Sequence, residues 1–237
     1  MNATNELSFA AADAGVPGRS MRLLVTGGTG VLGRALGPLA RAAGHELLAP
    51  TRDELDLFDP VAVAHATRGV DAVLHLATRI QPLAQLGNPA AWRDNDRLRA
   101  EASSILVDAA LATNVAAYVQ PTVTFVYPGE GPVCEDTPIS DVPAILRSAL
   151  TAEREADRFA QSGRRGIVLR LGLLDGPGTG HELPVHSLGA TLHVADAARA
   201  LLAALTLPSG IYNVCRDGER ISNSRFTHTA GWHPTHH

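Results

Sequence analysis

Short apolar runs alternate along the chain with segments in which apolar residues recur at helical spacing. Short apolar runs bounded by glycine, proline or polar residues are typical of buried strands, whereas a period of about 3.6 residues is typical of helices. Strands that alternate with helices predict a parallel sheet covered by helices on both faces, which is an α/β fold. The predicted strands are Arg22–Val25, Glu46–Ala49, Ala72–Leu76, Ala117–Phe125, Gly166–Leu171 and Ile211–Val214. The predicted helices are Val31–Ala43, Val61–Thr67, Arg93–Ala112, Ala144–Gln161 and Val194–Leu205.

The domain organisation follows from where this alternation begins. Residues 1–20 show no periodicity and end in glycine, proline, arginine and serine, so they are predicted to form a flexible tail. The alternating pattern starts at Met21 and continues through the rest of the 237 residues. Residues 21–237 are therefore predicted to form a single domain.

Composition narrows the class of partner. The chain is 45% hydrophobic, and no apolar run approaches the roughly 20 residues that a membrane span needs. The net charge is −4, with acids and arginines mixed along the chain, which disfavours nucleic acid and anionic membranes as partners. The two cysteines, Cys134 and Cys215, lie in no motif and favour a reducing, cytoplasmic location. A small molecule is therefore the expected partner.

A glycine-rich loop, TGGTGVLG at residues 26–33, follows the first strand and opens the first helix. The glycines at positions 27, 30 and 33 have the spacing of a dinucleotide-binding loop. In such a loop one glycine permits a tight turn, one lets the backbone approach a pyrophosphate, and one lets the helix pack on the strand. The free N–H groups and the positive dipole end of the helix suit phosphates. The loop predicts a dinucleotide-binding site, with an ordinary strand–turn–helix as the alternative.

The residues after the second strand bear on the choice between NADP and NAD. NAD-binding proteins usually place an acid there to hold the ribose hydroxyls. In this chain Arg52 comes first, and its planar guanidinium suits a 2′-phosphate. Asp53 and Glu54 follow directly, and Arg52 could instead lie in solvent. The pattern favours NADP, with NAD possible.

Further motifs occur at the ends of predicted strands and within predicted helices. They are LDL (55–57), VLHLAT (73–78), LVDAA (106–110), FVY (125–127), EDTP (135–138), LRLG (169–172), GPG (176–178), HVADAA (193–198), IYNV (211–214) and GWHP (231–234). Together with the loop, these motifs resemble the extended short-chain dehydrogenase/reductase superfamily, in its NAD-dependent epimerase/dehydratase branch. The resemblance runs from Met21 to about Pro234. It implies a Rossmann-like, doubly wound parallel sheet with a reduced C-terminal substrate lobe, at about residues 175–193 and 206–237.

The resemblance also implies which residues bind the cofactor. In that superfamily the loop holds the pyrophosphate, the LDL aspartate lies near the adenine, and the HLAA-like strand passes beneath the cofactor. With Arg52 from the argument above, the expected cofactor-binding residues are Gly27, Thr29, Gly30, Val31, Leu32, Gly33, Arg52, Asp56, Leu57, Leu76, Ala77 and Thr78.

The catalytic pair of that superfamily is missing from this chain. Its members carry a Ser or Thr followed by Tyr-x-x-x-Lys, in which the tyrosine is the acid/base and the lysine lowers its pKa and holds the ribose. All 20 Lys and Arg residues of this chain are arginines, so it contains no lysine. Counted from the motif RSALTAE at residues 147–153, the tyrosine position is Ile145 and the lysine position is Ala149.

Other polar residues are predicted to lie at the carboxyl edge of the sheet, where ligands bind in such folds. The candidate catalytic residues are Tyr127, Thr122 and Thr124. The strand threonines have a structural role as their alternative. The segment between GPG and HVADAA is shorter than in typical members of that superfamily, which predicts a cleft that is open or that a partner subunit closes. The candidate substrate-binding residues are Arg79, His181 and His186. The histidines could exchange protons near neutral pH or lie in solvent, and no spacing typical of metal ligands occurs.

Three functions remain open from the sequence. The favoured one is a tailoring enzyme that performs non-redox chemistry on a small metabolite, namely cyclisation, dehydration or isomerisation, as in secondary metabolism. The second is an NADP-dependent oxidoreductase or epimerase with a rewired acid/base. The third is a non-catalytic sensor or partner subunit that binds NADP(H). Relatives pair through two long helices, so Arg93–Ala112 and Ala144–Gln161 are where a homodimer is expected.

Overall fold

The computed structural model describes residues 19–85, 87–218 and 220–236, so the predicted tail lies outside the described residues except for Arg19 and Ser20. The strands are β1 (Arg22–Thr26), β2 (Glu46–Leu48), β3 (Ala72–His75), β4 (Ala117–Val123), β5 (Arg165–Leu171), β6 (Leu173–Asp175), β7 (Thr191–His193) and β8 (Gly210–Val214). The α-helices are α1 (Val31–Ala42), α2 (Pro60–Ala66), α3 (Pro89–Arg97), α4 (Ser103–Ala112), α5 (Arg147–Gln161), α6 (Val194–Ala204) and α7 (Ser224–Ala230).

Six of these strands form one parallel sheet in the order β2-β1-β3-β4-β5-β8. This confirms the predicted α/β fold with a Rossmann-like sheet. Because β1 lies between β2 and β3, the strand order reverses beside β1. In open parallel sheets a ligand binds at such a reversal, outside the carboxyl ends of the strands. The glycine loop leaves β1 at this point.

The two faces of the sheet carry separate cores. Side chains alternate between faces along a strand, and in β1 Leu23 and Val25 enter one core while Leu24 enters the other. Helices α1 and α6 pack together over the first face. Helices α2, α4 and α5 cover the second, where Tyr118 and Phe159 are fully buried. Burial on both faces explains why the strands read as continuous apolar runs.

The helix predicted over residues 93–112 differs from a single helix. It begins earlier, at Pro89, and a π-helical segment at Leu98–Ala102 separates α3 from α4. A π-helical turn inserts one extra residue and turns the following side chains to a new direction. The turn brings the Arg99 side chain into the interior, where only 4% of its surface is exposed.

Two further boundaries differ from the prediction. The fourth strand ends at Val123, and Thr124–Val126 form a 3₁₀ turn. Residues Ala144–Leu146 also form a 3₁₀ turn ahead of α5. Strands β6 and β7 pair in parallel apart from the main sheet and, like α7, were not predicted.

The first part of the predicted small lobe, about residues 175–193, contains β7, whereas the second part, about residues 206–237, contains α7 and also β8 of the main sheet. The buried carboxylate of Asp175 accepts two hydrogen bonds from the guanidinium of Arg216, at 2.5 and 2.8 Å. The carboxylate of Asp196, fully buried on α6, accepts the backbone N–H groups of Thr235 and His236, each at 3.0 Å. These contacts hold the C-terminal segment against α6.

Candidate functional site

The glycine loop brings three backbone segments into direct contact. Gly27 has φ +72°, a left-handed conformation that favours glycine. A Cβ added there would lie 2.6 Å from the amide nitrogen of Ala77, at the end of β3. A Cβ on Gly33 would overlap the backbone of Gly28, so α1 could not approach the loop. These two glycines therefore close the loop against β3 and α1.

The start of α1 fits a dinucleotide phosphate. The N-cap residue, Gly30, has extended backbone angles, and within the described residues no side chain caps the helix and no acid lies in its first turn. The first N–H groups of a helix lack partners inside the helix and attract anions. Thr29 and Gly30 are exposed, and Val31 and Leu32 are half-buried. Arg34 donates to the carbonyl of Thr29, which places a cation beside the loop.

Gly30→Ala and Gly33→Ala are expected to fail in different ways. A Cβ on Gly30 would lie 3.1 Å from the carbonyl oxygen of Gly27, a tight contact that needs a smaller shift than the overlap at Gly33, and we expect its methyl to occupy space that a phosphate would take. Affinity for the cofactor should fall about 10- to 100-fold with little change in stability. Gly33→Ala should lower the free energy of unfolding by about 1–3 kcal/mol through overpacking. Calorimetric titration and urea unfolding measure the two effects, and equal loss of stability in both variants would contradict this account.

The segment after β2 supplies the candidate residues for the adenosine half of a cofactor. Arg52 is exposed and forms no ion pair within the described residues. The carboxylate of Glu54 accepts the backbone N–H of Thr51 at 2.8 Å and its hydroxyl at 2.9 Å, which lowers the pKa of Glu54. The Glu54 carboxylate therefore binds Thr51 and does not pair with Arg52, so the Arg52 guanidinium is available to bind a phosphate. Asp56 is exposed and accepts the backbone N–H of Phe58 at 2.9 Å.

The residues directly after β3 lie against the glycine loop. Leu76 is buried, and its backbone N–H donates to the carbonyl of Thr26 at 3.1 Å. Ala77 is half-buried against the loop, and Thr78 is exposed. Leu57, predicted near the adenine, is half-buried and packs on the second core. The structure thus brings the predicted residues from the loop, β2 and β3 to one edge of the sheet.

His75 is a core residue that joins β3 to β1 and to the π-helical segment. Its Nε2 lies 3.1 Å from the carbonyl oxygen of Leu98, which can only accept, so Nε2 carries the proton. Its Nδ1 then accepts the hydroxyl of Thr26 at 2.6 Å. Burial lowers the pKa of His75 to about 4. The ring is therefore neutral at pH 7.

This neutral histidine predicts a pH dependence of stability. An unfolded histidine has a pKa of about 6.5, so the unfolded chain binds the proton more readily than the folded one. Neutral His75 therefore makes its full contribution to the free energy of unfolding above about pH 6.5. As the pH falls towards about 4, up to about 3 kcal/mol of that free energy is lost. Urea unfolding at a series of pH values measures the slope. His75→Leu should flatten it, whereas the exposed control His65→Gln should leave it unchanged; an unchanged slope in His75→Leu would contradict the assignment.

Two of the predicted catalytic hydroxyls belong to a buried hydrogen-bond network at the end of β4. The Tyr127 hydroxyl donates to Asn213 Oδ1 at 2.8 Å and accepts from Arg170 at 2.8 Å. The Thr122 hydroxyl donates to Glu153 at 2.8 Å. Burial raises the pKa of Tyr127, although Arg170 and Asn213 oppose the rise. Both hydroxyls are thereby committed to protein partners, which argues against their predicted catalytic role; that role stays a prediction.

The network is centred on an ion pair that sequence reasoning missed. Arg170 donates to both carboxylate oxygens of Glu153, at 2.9 and 2.6 Å, and the two residues are 3% and 6% exposed. Arg170 lies on β5 within the LRLG motif, and Glu153 closes the RSALTAE motif. A charged residue within an otherwise apolar predicted strand was the available signal, but it does not identify Glu153 as the partner. The third predicted hydroxyl, that of Thr124, is buried without a hydrogen-bond partner in the described residues.

The positions expected to hold the tyrosine and the lysine are apolar in the structure. Ile145 lies half-buried in the 3₁₀ turn before α5. Ala149 is fully buried and packs in a cluster with Val126 and Tyr127. Neither position can give or take a proton.

The predicted substrate-binding residues are spread over the surface near this edge. Arg79 is exposed and pairs with Asp94 at 3.3 Å, while its backbone N–H donates to Asn95 Oδ1 at 3.0 Å. His181 is half-buried in the turn after β6, and its carbonyl accepts the N–H of Gly176 at 2.7 Å. His186 is exposed. In the described ranges no three His, Cys, Asp or Glu side chains are grouped to hold a metal ion, and no helix there has the length and apolarity to cross a membrane.

Comparison with known proteins assigns this architecture to a family. The sequence profile of the NAD dependent epimerase/dehydratase family matches residues 23–192. The chain belongs to that family, within the short-chain dehydrogenase/reductase superfamily.

Relatives of known name include reductases and epimerase-family proteins. The chain is 34% identical over 223 residues to a 3-diazoavenalumate denitrifying reductase of a Streptomyces species, an alignment that spans 78% of this chain and 72% of that protein. It is 29% identical over 244 residues to the epimerase family protein SDR39U1 of Bos taurus, spanning 89% and 80%.

Solved structures confirm the fold. A UDP-N-acetylglucosamine 4-epimerase from Bacillus cereus superposes with a TM-score of 0.77 at 19% identity, covering 92% of this chain and 95% of that one. RMD from Pseudomonas aeruginosa, complexed with NADPH, superposes with a TM-score of 0.75 at 22% identity, covering 91% and 94%.

Proposed function

We propose that this protein is an NADPH-dependent reductase whose acceptor takes a hydride without needing a proton from the protein. One observation carries the proposal. The glycine loop and the uncapped start of α1 suit a dinucleotide, whereas the positions of the acid/base pair hold Ile145 and Ala149, the latter inside an apolar cluster. A protein that keeps the cofactor site and lacks the acid suits a reaction in which only the cofactor's hydride is required.

The chain's own residues have separate tasks in this proposal. The N–H groups at the start of α1 and the guanidinium of Arg34 would hold the pyrophosphate, and Arg52 would pair with the 2′-phosphate. Leu76 and Ala77 form the floor of the crevice. The Arg170–Glu153 network fixes the end of β4, at the same edge of the sheet. The bound cofactor supplies the hydride.

The missing acid points to the class of acceptor. Reduction of a ketone or aldehyde leaves an alkoxide that must take up a proton, which the superfamily's tyrosine provides. An arenediazonium carbon is different: a C–H bond forms, the C–N bond breaks, and dinitrogen leaves with the electron pair of that bond. Diazonium cation and NADPH become arene, dinitrogen and NADP⁺, and no proton enters the balance. The Streptomyces relative is named as a denitrifying reductase of a diazo compound, which supports this class.

The same apolar positions favour a second candidate, the non-redox tailoring reaction predicted from the sequence. In that case the cofactor stays unchanged while the substrate is cyclised, dehydrated or isomerised. The two candidates differ in whether NADPH is consumed.

A substrate panel tests the proposal. Purified protein with NADPH is offered an arenediazonium salt, a ketone and an aldehyde, with blanks without protein for spontaneous reduction. We expect NADPH oxidation and dinitrogen release in equal amounts with the diazonium salt, and no turnover of the carbonyl compounds. Turnover of the carbonyl compounds would show a rewired acid, and product formation with NADPH intact would show the non-redox reaction; either result would overturn the proposal.

A further inference from the structure

Several buried hydrogen-bond donors without partners lie on elements that pack on α5 or follow β4. In native proteins, buried polar atoms almost always have a partner, so an exception points to a bound ligand, ion or water. Within the described residues the donors without one include Asn95 Nδ2, Arg99 Nε, Thr124 Oγ1 and Ser148 Oγ. One nearby acceptor, Asp96 Oδ1, is also unpartnered. The excess of donors calls for a ligand that accepts hydrogen bonds.

These donors come from elements that meet at one end of the sheet. The helix α3, which carries Asn95, packs on the 3₁₀ turn Ala144–Leu146 and on α5, where Ser148 lies in the first turn. The π-helical segment, which carries Arg99, also packs on α5. Thr124 follows β4 directly. Asn95 is oriented by the backbone N–H of Arg79, to which its Oδ1 is bound at 3.0 Å, so its Nδ2 is left for another partner.

Arg99 gives this cluster its charge. The side chain is 96% enclosed, since 4% of its surface is exposed. Burial lowers its pKa to about 10, with Asp96 and Glu153 acting against the decrease, so it is still a cation at neutral pH. Glu153 already accepts from Arg170 and Thr122. A buried cation without a hydrogen-bonded partner is costly, and an anion in contact with it removes that cost.

We propose that Arg99, with Asn95, Thr124 and Ser148, binds an anionic oxygen of the substrate, either a carboxylate or a phenolate. This inference rests on the proposed function, because it places the substrate beside the cofactor. Arg99 reaches the site from the π-helical segment and not from α5, where the superfamily's lysine would lie. It holds the substrate and transfers no proton. The substrate class is therefore a small aromatic anion that carries the reducible group.

Matched probes test the site without any turnover. Protein loaded with NADP⁺ is titrated calorimetrically with cinnamate against cinnamamide, and with 4-nitrophenolate against 4-nitroanisole. We expect one anion of these pairs to bind about 10- to 100-fold tighter than its uncharged counterpart. The pair that shows the preference identifies the carboxylate or the phenolate. Arg99→Gln should abolish the preference, whereas Arg97→Gln, an exposed neighbour, should keep it.

Several results would overturn the inference. They are equal binding of anion and neutral counterpart in the wild type, or a preference that survives in Arg99→Gln. A third is that Arg99→Gln weakens the binding of NADP⁺ and leaves the binding of the probes unchanged, which would assign Arg99 to the cofactor site. Should Arg99→Gln not fold, Ser148→Ala and Thr124→Val replace it, and each should reduce the preference about threefold or more. The affinity for NADP⁺, measured first, reports separately on the cofactor site, and the substrate panel reports on the proposed function.

Discussion

Glu153→Leu is expected to lower the free energy of unfolding by about 3–5 kcal/mol, because it leaves Arg170 as a buried cation without its carboxylate. Both hydrogen bonds from Arg170 and the one from Thr122 disappear together. The arginine also holds Tyr127 in place, so the end of β4 should loosen with it. Urea unfolding followed by circular dichroism gives the change.

Two further variants distinguish the loss of the buried ion pair from the loss of an ordinary acidic side chain on α5. Glu155→Leu removes an acid on the same helix whose partner, Arg158, is 39% exposed, and it should cost less than about 1 kcal/mol. The double variant Glu153→Leu with Arg170→Met replaces the whole pair by apolar side chains and should regain much of the lost stability. If Glu153→Leu costs no more than Glu155→Leu, the ion pair is not what holds this region.

Arg52→Ala is expected to weaken NADPH binding about 10- to 100-fold while leaving NADH binding nearly unchanged. The guanidinium can hold a 2′-phosphate with two hydrogen bonds, and NADH lacks that group. Calorimetric titration of both nucleotides, after any bound nucleotide has been removed, gives the two affinities. Arg68→Ala serves as the control, since Arg68 is also exposed but follows α2.

Two outcomes would count against NADP as the cofactor. Equal weakening of both nucleotides would place Arg52 on a part of the cofactor that they share. Tighter binding of NADH than NADPH by the wild type would give the role to Asp53, which is exposed beside Arg52.

The strand pattern and the glycine loop were predictable because each depends on local sequence. Alternate burial on two faces makes β1 an apolar run, and the contact of Gly27 with Ala77 excludes any larger residue. Even β4 was predicted in spite of Pro121. Its pairing with β3 ends at Val119, so the missing N–H of the proline removes no bond on that side.

The π-helical segment and the ion-pair network could not be predicted in the same way. A helical period continues through residues 93–112, and nothing local shows the extra residue that turns Arg99 inward. The sequence places Tyr127 at the end of a strand, where ligand-binding residues are common. Its hydroxyl is nevertheless hydrogen-bonded to Asn213, which lies 86 residues later. Such pairings are set by tertiary packing. The short pair β6 and β7 is likewise stabilised by contacts distant in sequence.

The source of the hydrogen in the product tests the central claim most directly. The reaction of the arenediazonium salt is run once with NADPH deuterated at C4 in ordinary water and once with unlabelled NADPH in D₂O. We expect deuterium to enter the new C–H bond from the cofactor and none to enter it from the solvent. Deuterium from the solvent, or product formed with the cofactor label intact, would contradict a hydride transfer that needs no proton from the protein.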